Sequence, residues 1–311
     1  MTYPLPTPAQ PFKIGTRGSP LALWQAQEVR RCLMAAHGLP IEAFEVVAIK
    51  VTGDQILDKA LKDIGGKGLF TREIEEALSA GSIDIAVHSM KDMPTLQPAG
   101  LTLDCYLPRE DVRDGFVSPH AGGLMDLPQG SVVGSSSLRR RAQVAHRRPD
   151  LRLVEFRGNV QTRLQKLADG VAAATFLAMA GLNRLGMGGA ARPVEVTAML
   201  PAVAQGAIGV ERRLADPRAG AMLAAIHHIP TGQQLAAERA FLARLDGSCD
   251  TPIAGLAVLE GDQIWLRGEI LRPDGSRVIG GELRAPIPQA VALGQALAAD
   301  LLSRAGPGFF G

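Results

Sequence analysis

Apolar and polar positions follow two rhythms along the 311 residues, and the switches between them mark the elements. Residues 12–15 predict a short strand. Ser19 then offers a helix N-cap with Pro20 at the first position, and Ala22, Ala26, Val29 and Leu33 recur on one face until Gly38 and Pro40 stop the helix. Residues 44–51 are β-rich, a loop with Gly53, Gly65, Gly66 and Gly68 follows, and 71–80 predict a helix with Glu73, Glu75 and Glu76 in its first turns. Gly81 closes that helix and 83–87 form the next apolar run. Strand, helix, strand in this order predicts parallel pairing with a right-handed crossover.

The rhythm repeats as strand 131–134, helix 138–148, strand 151–156 and helix 160–168, ended by Gly170. After Pro201 it changes. A helix at 233–245 precedes three runs of strand pattern, 253–259, 264–270 and 276–284, and Pro273-Asp274-Gly275 turns the last two into a hairpin. A helix at 288–303 finishes the chain. The expectation is two α/β lobes followed by a smaller α+β domain with an antiparallel sheet.

Composition narrows the class. Apolar residues make up 46% and glycine plus proline 56 of 311, which excludes a disordered, collagenous or coiled-coil chain. The longest uncharged apolar run, 171–182, is too short to span a bilayer. Residues 1–11 hold four prolines and no basic residue, so they read as a loose extension rather than an export signal. A cytoplasmic protein is the expectation. Three cysteines, Cys32, Cys105 and Cys249, show neither a disulfide framework nor a zinc spacing, and no metal is expected. His227-His228 are expected on a helix surface.

Charge matters through its placement. The net charge is only +2, yet residues 138–163 carry eight arginines against Asp150 and Glu155, +6 there and −4 elsewhere. Such asymmetry points to an anionic partner. Aromatic residues are only 4% and none interleaves the arginines, so stacking on bases is poorly supplied and nucleic acid is not expected. Gly66-Lys67 is followed by Gly68 where a nucleotide-binding loop needs Ser or Thr, and no GxGxxG, HExxH or GxSxG pattern occurs.

Three segments can carry chemistry. Gly134-Ser135-Ser136-Ser137-Leu138-Arg139-Arg140-Arg141 runs from a strand end into a helix start, where free N–H groups, hydroxyls and guanidiniums suit an anion. A capped helix with solvated arginines fits the same residues. Arg157-Gly158-Asn159 repeats the placement. His88-Ser89-Met90-Lys91-Asp92 follows a strand, where parallel sheets bind ligands; Lys91 and Asp92 also fit a surface pair. Cys249 lies in the polar loop Gly247-Ser248-Cys249-Asp250, whereas Cys32 and Cys105 sit among helix and strand residues and fit packing. A two-lobed binding protein for a small organic anion is one reading of the whole.

Lys13-Ile-Gly-Thr-Arg17-Gly-Ser-Pro, Gly65-Gly-Lys-Gly-Leu-Phe70, Val87-His-Ser-Met-Lys-Asp92, Gly134-Ser-Ser-Ser-Leu-Arg-Arg140, Arg157-Gly-Asn159, Pro201-Ala-Val-Ala-Gln-Gly206 and Gly247-Ser-Cys249 together resemble the porphobilinogen deaminase (hydroxymethylbilane synthase) family, from about Phe12 to the C-terminus. The resemblance implies a monomeric cytoplasmic transferase of porphyrin and haem biosynthesis. Such an enzyme joins four porphobilinogen molecules head to tail into 1-hydroxymethylbilane, releasing four ammonia. It further implies a covalent dipyrromethane cofactor on Cys249 through a thioether, with Asp92 catalytic and Lys91 beside it. Arg17, Arg139, Arg140, Arg157, Arg163 and Arg184 would pair with acetate and propionate groups, with Ser19, Ser89, Ser135, Ser136, Ser137 and Gly158 in the same binding segments. It implies two periplasmic-binding-protein-like α/β lobes, 12–108 with 202–225 and 109–201, and a C-terminal α+β domain, 226–311.

Overall fold

The computed structural model describes residues 3–52, 71–245 and 251–310. The chain forms two compact units: the N-terminal part up to Arg109 with Ala207–Gly232, and Glu110–Gly206 with Gln233–Gly311. We call them unit 1 and unit 2.

Unit 1 is built on a five-stranded sheet. Strands β1 (Phe12–Arg17), β2 (Phe44–Ile49) and β3 (Ile85–Ser89) are parallel, with β1 between the other two. β4 (Leu101–Tyr106) stands at the far edge. Helix α1 (Pro20–His37) begins where the sequence pattern places it: Ser19 accepts the Ala22 N–H, and Gly38 ends the helix in the left-handed region. Its buried Ala26, Val29 and Leu33 pack on the strands with Phe12, Ile14, Ile85 and Val87. Helix α2 (Arg72–Ser79) buries Ile74 and Leu78 on the other side of the strands.

Unit 2 contains a second five-stranded sheet with the same plan. β5 (Asp114–Val117), β6 (Val132–Gly134), β7 (Arg152–Val154), β8 (Ala174–Ala178) and β9 (Arg192–Pro193) order as β7-β6-β8-β5-β9, with β6 parallel to both neighbours and β5 antiparallel to β8 and β9. Helices α3 (Leu138–Arg147) and α4 (Val160–Ala168) follow β6 and β7 as the pattern predicts, and the short α5 (Met179–Arg184) follows β8. The apolar run 171–182 therefore divides into β8 and α5.

The chain then returns to unit 1 with β10 (Ile208–Arg213), antiparallel to β3 and β4, and helix α6 (Pro217–Ala224). Helix α7 (Ile229–Arg244), the antiparallel strands β11 (Ile253–Glu260), β12 (Gln263–Leu271) and β13 (Val278–Pro286), and α8 (Ala290–Ala305) complete the fold. On β12, buried Ile264, Leu266 and Ile270 alternate with half-buried Trp265, Arg267 and Glu269, the period expected of a sheet with one covered face.

Two expectations change, and one pairing in each sheet was not predicted. His227-His228 sit in the turn between α6 and α7 rather than on a helix surface: the Tyr106 N–H donates to His227 Nδ1 (3.2 Å) and the His228 N–H to the Tyr106 carbonyl (2.7 Å), so backbone groups hold them. The N-terminal extension is folded back: Thr7 and Gln10 bridge, and Arg218 donates to the Pro4 carbonyl. The unpredicted pairing is antiparallel: β10 joins β3 to β4, and β5 joins β8 to β9. No helix among the described residues is long and apolar enough to cross a membrane.

Candidate functional site

In unit 1 the parallel strands β1 and β3 end side by side, and each feeds a turn that carries candidate side chains. Beyond β1 come half-buried Arg17 and Ser19, the latter fixed as the cap of α1. Beyond β3, Ser89 shares a hydrogen bond of 2.8 Å with the Gln25 amide, which ties the loop to α1. A single 3₁₀ turn, Met90–Asp92, follows. Met90 and Met93 are buried at 1% and 4% exposure, and these two anchors leave Lys91 half-buried and Asp92 exposed. Arg17, Ser19, Gln25, Thr71, His88, Ser89 and Asp92 all line one small cavity of about 80 Å³. A carboxylate, a guanidinium and three hydroxyls thus share one pocket at the carboxyl ends of two parallel strands, the place where such sheets bind ligands.

Behind the pocket, His88 Nε2 lies 3.1 Å from Glu211 Oε2, with both residues buried. Glu211 Oε1 is buried and has no hydrogen-bond partner. Burial pushes the nearby Glu75 carboxyl above the usual carboxylate range, and Glu211 adds to the push. Sequence reasoning missed Glu211. The available signal was a lone acid directly after the apolar stretch 207–210, where a charge needs a partner.

In unit 2 the corresponding ends of β6, β7 and β8 carry the other candidates. Gly134 closes β6 where a Cβ would overlap the Phe156 side chain, so the missing side chain lets that ring pack against the strand end. Each serine is engaged close to its own turn: Ser135 Oγ accepts the Ser137 N–H, Ser136 Oγ accepts the Phe156 N–H at 3.0 Å, and Ser137 caps α3 at the Arg140 N–H. Arg163 Nε donates to the Gly158 carbonyl at 2.9 Å, and Asn159 caps α4. Arg157, Gly158 and Arg163 are half-buried there.

Arg139 and Arg140 take a different course. Both turn inward onto Asp114, which is fully buried at the start of β5. Arg139 Nη1 donates to Asp114 Oδ2 at 2.7 Å, and Arg140 Nη2 and Nε donate to Oδ1 at 2.7 and 3.1 Å. Gln205 adds a donor at 2.9 Å. Burial alone would raise the Asp114 pKa, but the two guanidiniums outweigh it and hold the carboxyl well below the usual range. The anion the sequence predicted among these arginines is, for this pair, the protein's own aspartate. The buried Arg139 Nε keeps no partner. Arg184 is buried too, donating to the Gly206 carbonyl at 2.7 Å.

The Pro201-Ala-Val-Ala-Gln-Gly206 motif builds this knot. Ala204 adopts φ +60, and Glu238, wholly buried, accepts the Ala204 and Ala257 N–H groups at 2.6 and 2.8 Å. That places Gln205 on Asp114. Asp114, Gln205 and Glu238 were not legible as site-building residues, because their partners lie 19 to 91 positions away.

Cys249 and the Gly65-Phe70 loop lie outside the described residues. Of the other cysteines, burial pushes the Cys105 thiol up to about 12, and burial with Glu28 raises Cys32. Neither suits a nucleophile, which must ionise to react. No cluster among the described residues could hold a metal ion.

The family described as porphobilinogen deaminase, dipyromethane cofactor binding domain, matches residues 12–221, and the porphobilinogen deaminase C-terminal domain matches 233–303. A porphobilinogen deaminase of Paracoccus denitrificans (strain Pd 1222) is 67% identical over 307 residues, covering 98% of each chain. Among solved structures, the probable amino-acid ABC transporter extracellular-binding protein of Bacillus subtilis aligns with TM-score 0.41 at 12% identity over 70% of this chain and 90% of its own. The periplasmic aliphatic sulphonate binding protein of Escherichia coli aligns with TM-score 0.39 at 16% identity, over 75% and 69%.

Proposed function

The chain belongs to the porphobilinogen deaminase family, and from that premise we propose which of its residues perform the reaction. The activity is that of hydroxymethylbilane synthase: four porphobilinogen molecules are joined head to tail to 1-hydroxymethylbilane and four ammonia molecules leave. A dipyrromethane is the cofactor. When bound, it supplies the pyrrole α-carbon at which the chain grows.

The donor set fits such a group. Every pyrrole unit brings two carboxylates, and the strand ends of unit 2 offer Arg157, Arg163 and the backbone and hydroxyls of Ser135, Ser136 and Ser137. Arginine rather than lysine suits planar carboxylates because its fork binds both oxygens. Arg139, Arg140 and Arg184, already bound internally, contribute positive potential and hold the loops that present the serines. Arg17, Ser19 and Ser89 orient the incoming substrate in unit 1, with Lys91 beside them.

Asp92 is the catalytic group. Loss of ammonia from the aminomethyl carbon breaks a C–N bond and leaves the substrate ring cationic. A carboxylate in the same pocket stabilises that charge and accepts the pyrrole N–H. Cys249 carries the cofactor, since the thiolate is the form that makes a thioether and burial disfavours ionisation of the other two cysteines.

The observation that carries this reading is the shared pocket of Arg17, Ser19, Ser89 and Asp92 at the ends of β1 and β3. Intact mass tests the cofactor assignment. The purified chain should exceed its own mass by two pyrrole units, Cys249→Ser should lack them, and Cys32→Ser and Cys105→Ser should keep them. Chain mass alone in the purified, active protein would overturn the covalent attachment of the cofactor to Cys249. We further propose a monomer acting in the cytoplasm on small molecules and not on nucleic acid. Its family is one of biosynthetic enzymes, and the sequence offers few aromatic residues beside its arginines.

A further inference from the structure

Unit 2 holds a second cavity, of about 250 Å³, at the opposite end of α3 from the serine loop. Its floor is withdrawn from solvent: Phe116, Phe176 and Met199 are 1–3% exposed, and Gln143 is wholly buried. The two phenylalanine rings meet edge to face at 5.5 Å. Its mouth carries two cations, half-buried Arg147 and exposed Arg192.

The floor has no hydrogen bond to give. Gln143 Oε1 accepts from Arg139 at 3.0 Å, and its Nε2 donates to the Leu200 carbonyl at 3.0 Å and to Glu269 at 3.1 Å. A polar substituent placed there would lose water without a partner. The mouth has donors in excess. Arg147 uses one N–H on the Gln143 carbonyl at 3.2 Å, and the Arg192 guanidinium makes no hydrogen bond or ion pair with a described residue. Asp126 Oδ2 and Arg192 Nη1 both stand against Gly122, so this acid offsets one guanidinium and Arg147 leaves the mouth a surplus of one positive charge.

We propose that this cavity binds a small amphipathic monocarboxylate, with an unsubstituted apolar ring on the floor and its carboxylate at Arg147 and Arg192. The volume lies below the ~300–1,000 Å³ typical of drug-sized ligands, which limits the body to one ring. Porphobilinogen is a poor match, because it carries two carboxylates and an ammonium on a polar ring. The site is therefore distinct in its chemistry from the one that works on substrate. Its walls touch the arginine knot directly: Gln143 holds Arg139, and the Phe176 carbonyl accepts from Arg140 at 2.7 Å. A ligand seated here braces both guanidiniums from behind.

Calorimetric titration of the cofactor-loaded enzyme with 3-phenylpropionate tests the assignment. The expected result is saturable binding at one site per chain. 3-Phenylpropionamide and 3-(4-hydroxyphenyl)propionate should each bind at least about fivefold more weakly, the first lacking the charge and the second placing a hydroxyl on the floor. Arg147→Gln and Arg192→Gln should each weaken binding by about two- to fivefold, the range for partly exposed ion pairs. Ala198→Phe, which fills the cavity, should abolish it. Equal affinity for acid and amide, binding unchanged in both arginine variants, or absence of saturable binding overturns the proposal. So does full displacement of the probe by porphobilinogen, which would place it in the substrate site.

Discussion

The two five-stranded units share a plan, with parallel strands flanking a central one and an antiparallel pair beyond, yet they put an acid at the sheet end to opposite uses. In unit 1, Asp92 follows β3 on a turn anchored by Met90 and Met93, and it stands exposed beside a guanidinium in a pocket. In unit 2, Asp114 opens β5 opposite Ala178 at the end of β8, wholly buried between Arg139 and Arg140. Both are aspartates at the same edge of similar sheets. Burial and pairing, rather than residue type, separate the aspartate proposed to react from the structural one. A buried carboxylate with its lone pairs committed to two guanidiniums cannot answer a charge that develops on substrate.

The comparison breaks most sharply through Asp92. Asp92→Ala should lower turnover by roughly 10²–10⁴ while the melting temperature stays near that of the parent; near-normal turnover would remove its assigned role. Asp114→Ala should do the reverse in kind. It leaves two buried guanidiniums without their anion, a change that costs about 3–5 kcal/mol in other buried pairs, so denaturant unfolding should shift by that much before any catalytic effect is read.

The pH dependence sharpens the same contrast. Asp114 is depressed in the folded chain, so its contribution to stability is complete above the unfolded carboxyl value of 3.8 and is lost as pH falls further. Unfolding measured between pH 5 and pH 2 should steepen below about pH 4 in the parent, and the slope should flatten in Asp114→Asn. A smaller effect belongs to the cap beneath the knot. Ser137→Ala frees the Arg140 N–H and should cost about 0.5–2 kcal/mol in denaturant unfolding. At the bottom of the scale, Arg72→Ala removes an exposed i,i+4 partner of Glu76 on α2, and no change in melting temperature is expected.

The strand and helix pattern of the parallel halves was legible because local signals agreed. Ser19 with Pro20 and Gly38 bound α1, Gly170 follows α4, and Pro273-Asp274-Gly275 closes the hairpin of β12 and β13. The antiparallel halves were not legible, since β5 and β10 show no clear alternation and their partners come from distant parts of the chain. Among proposed site residues, the glycine- and serine-rich segments were legible as strand ends that lead into helices. The sequence could not say that Arg139 and Arg140 face inward while Arg157 and Arg163 remain partly open, because the deciding partner, Asp114, lies 25 positions before Arg139.

Residue order alone determined the family, the alternating elements and the concentration of guanidiniums near the ends of β6 and β7, all of which rest on neighbours within a few positions. Tertiary structure decided which charges are free to act. Whether an arginine meets water, a ligand or a buried aspartate depends on contacts between segments far apart in the chain. The energy of a charge changes far more with its burial and partner than with its chemical identity.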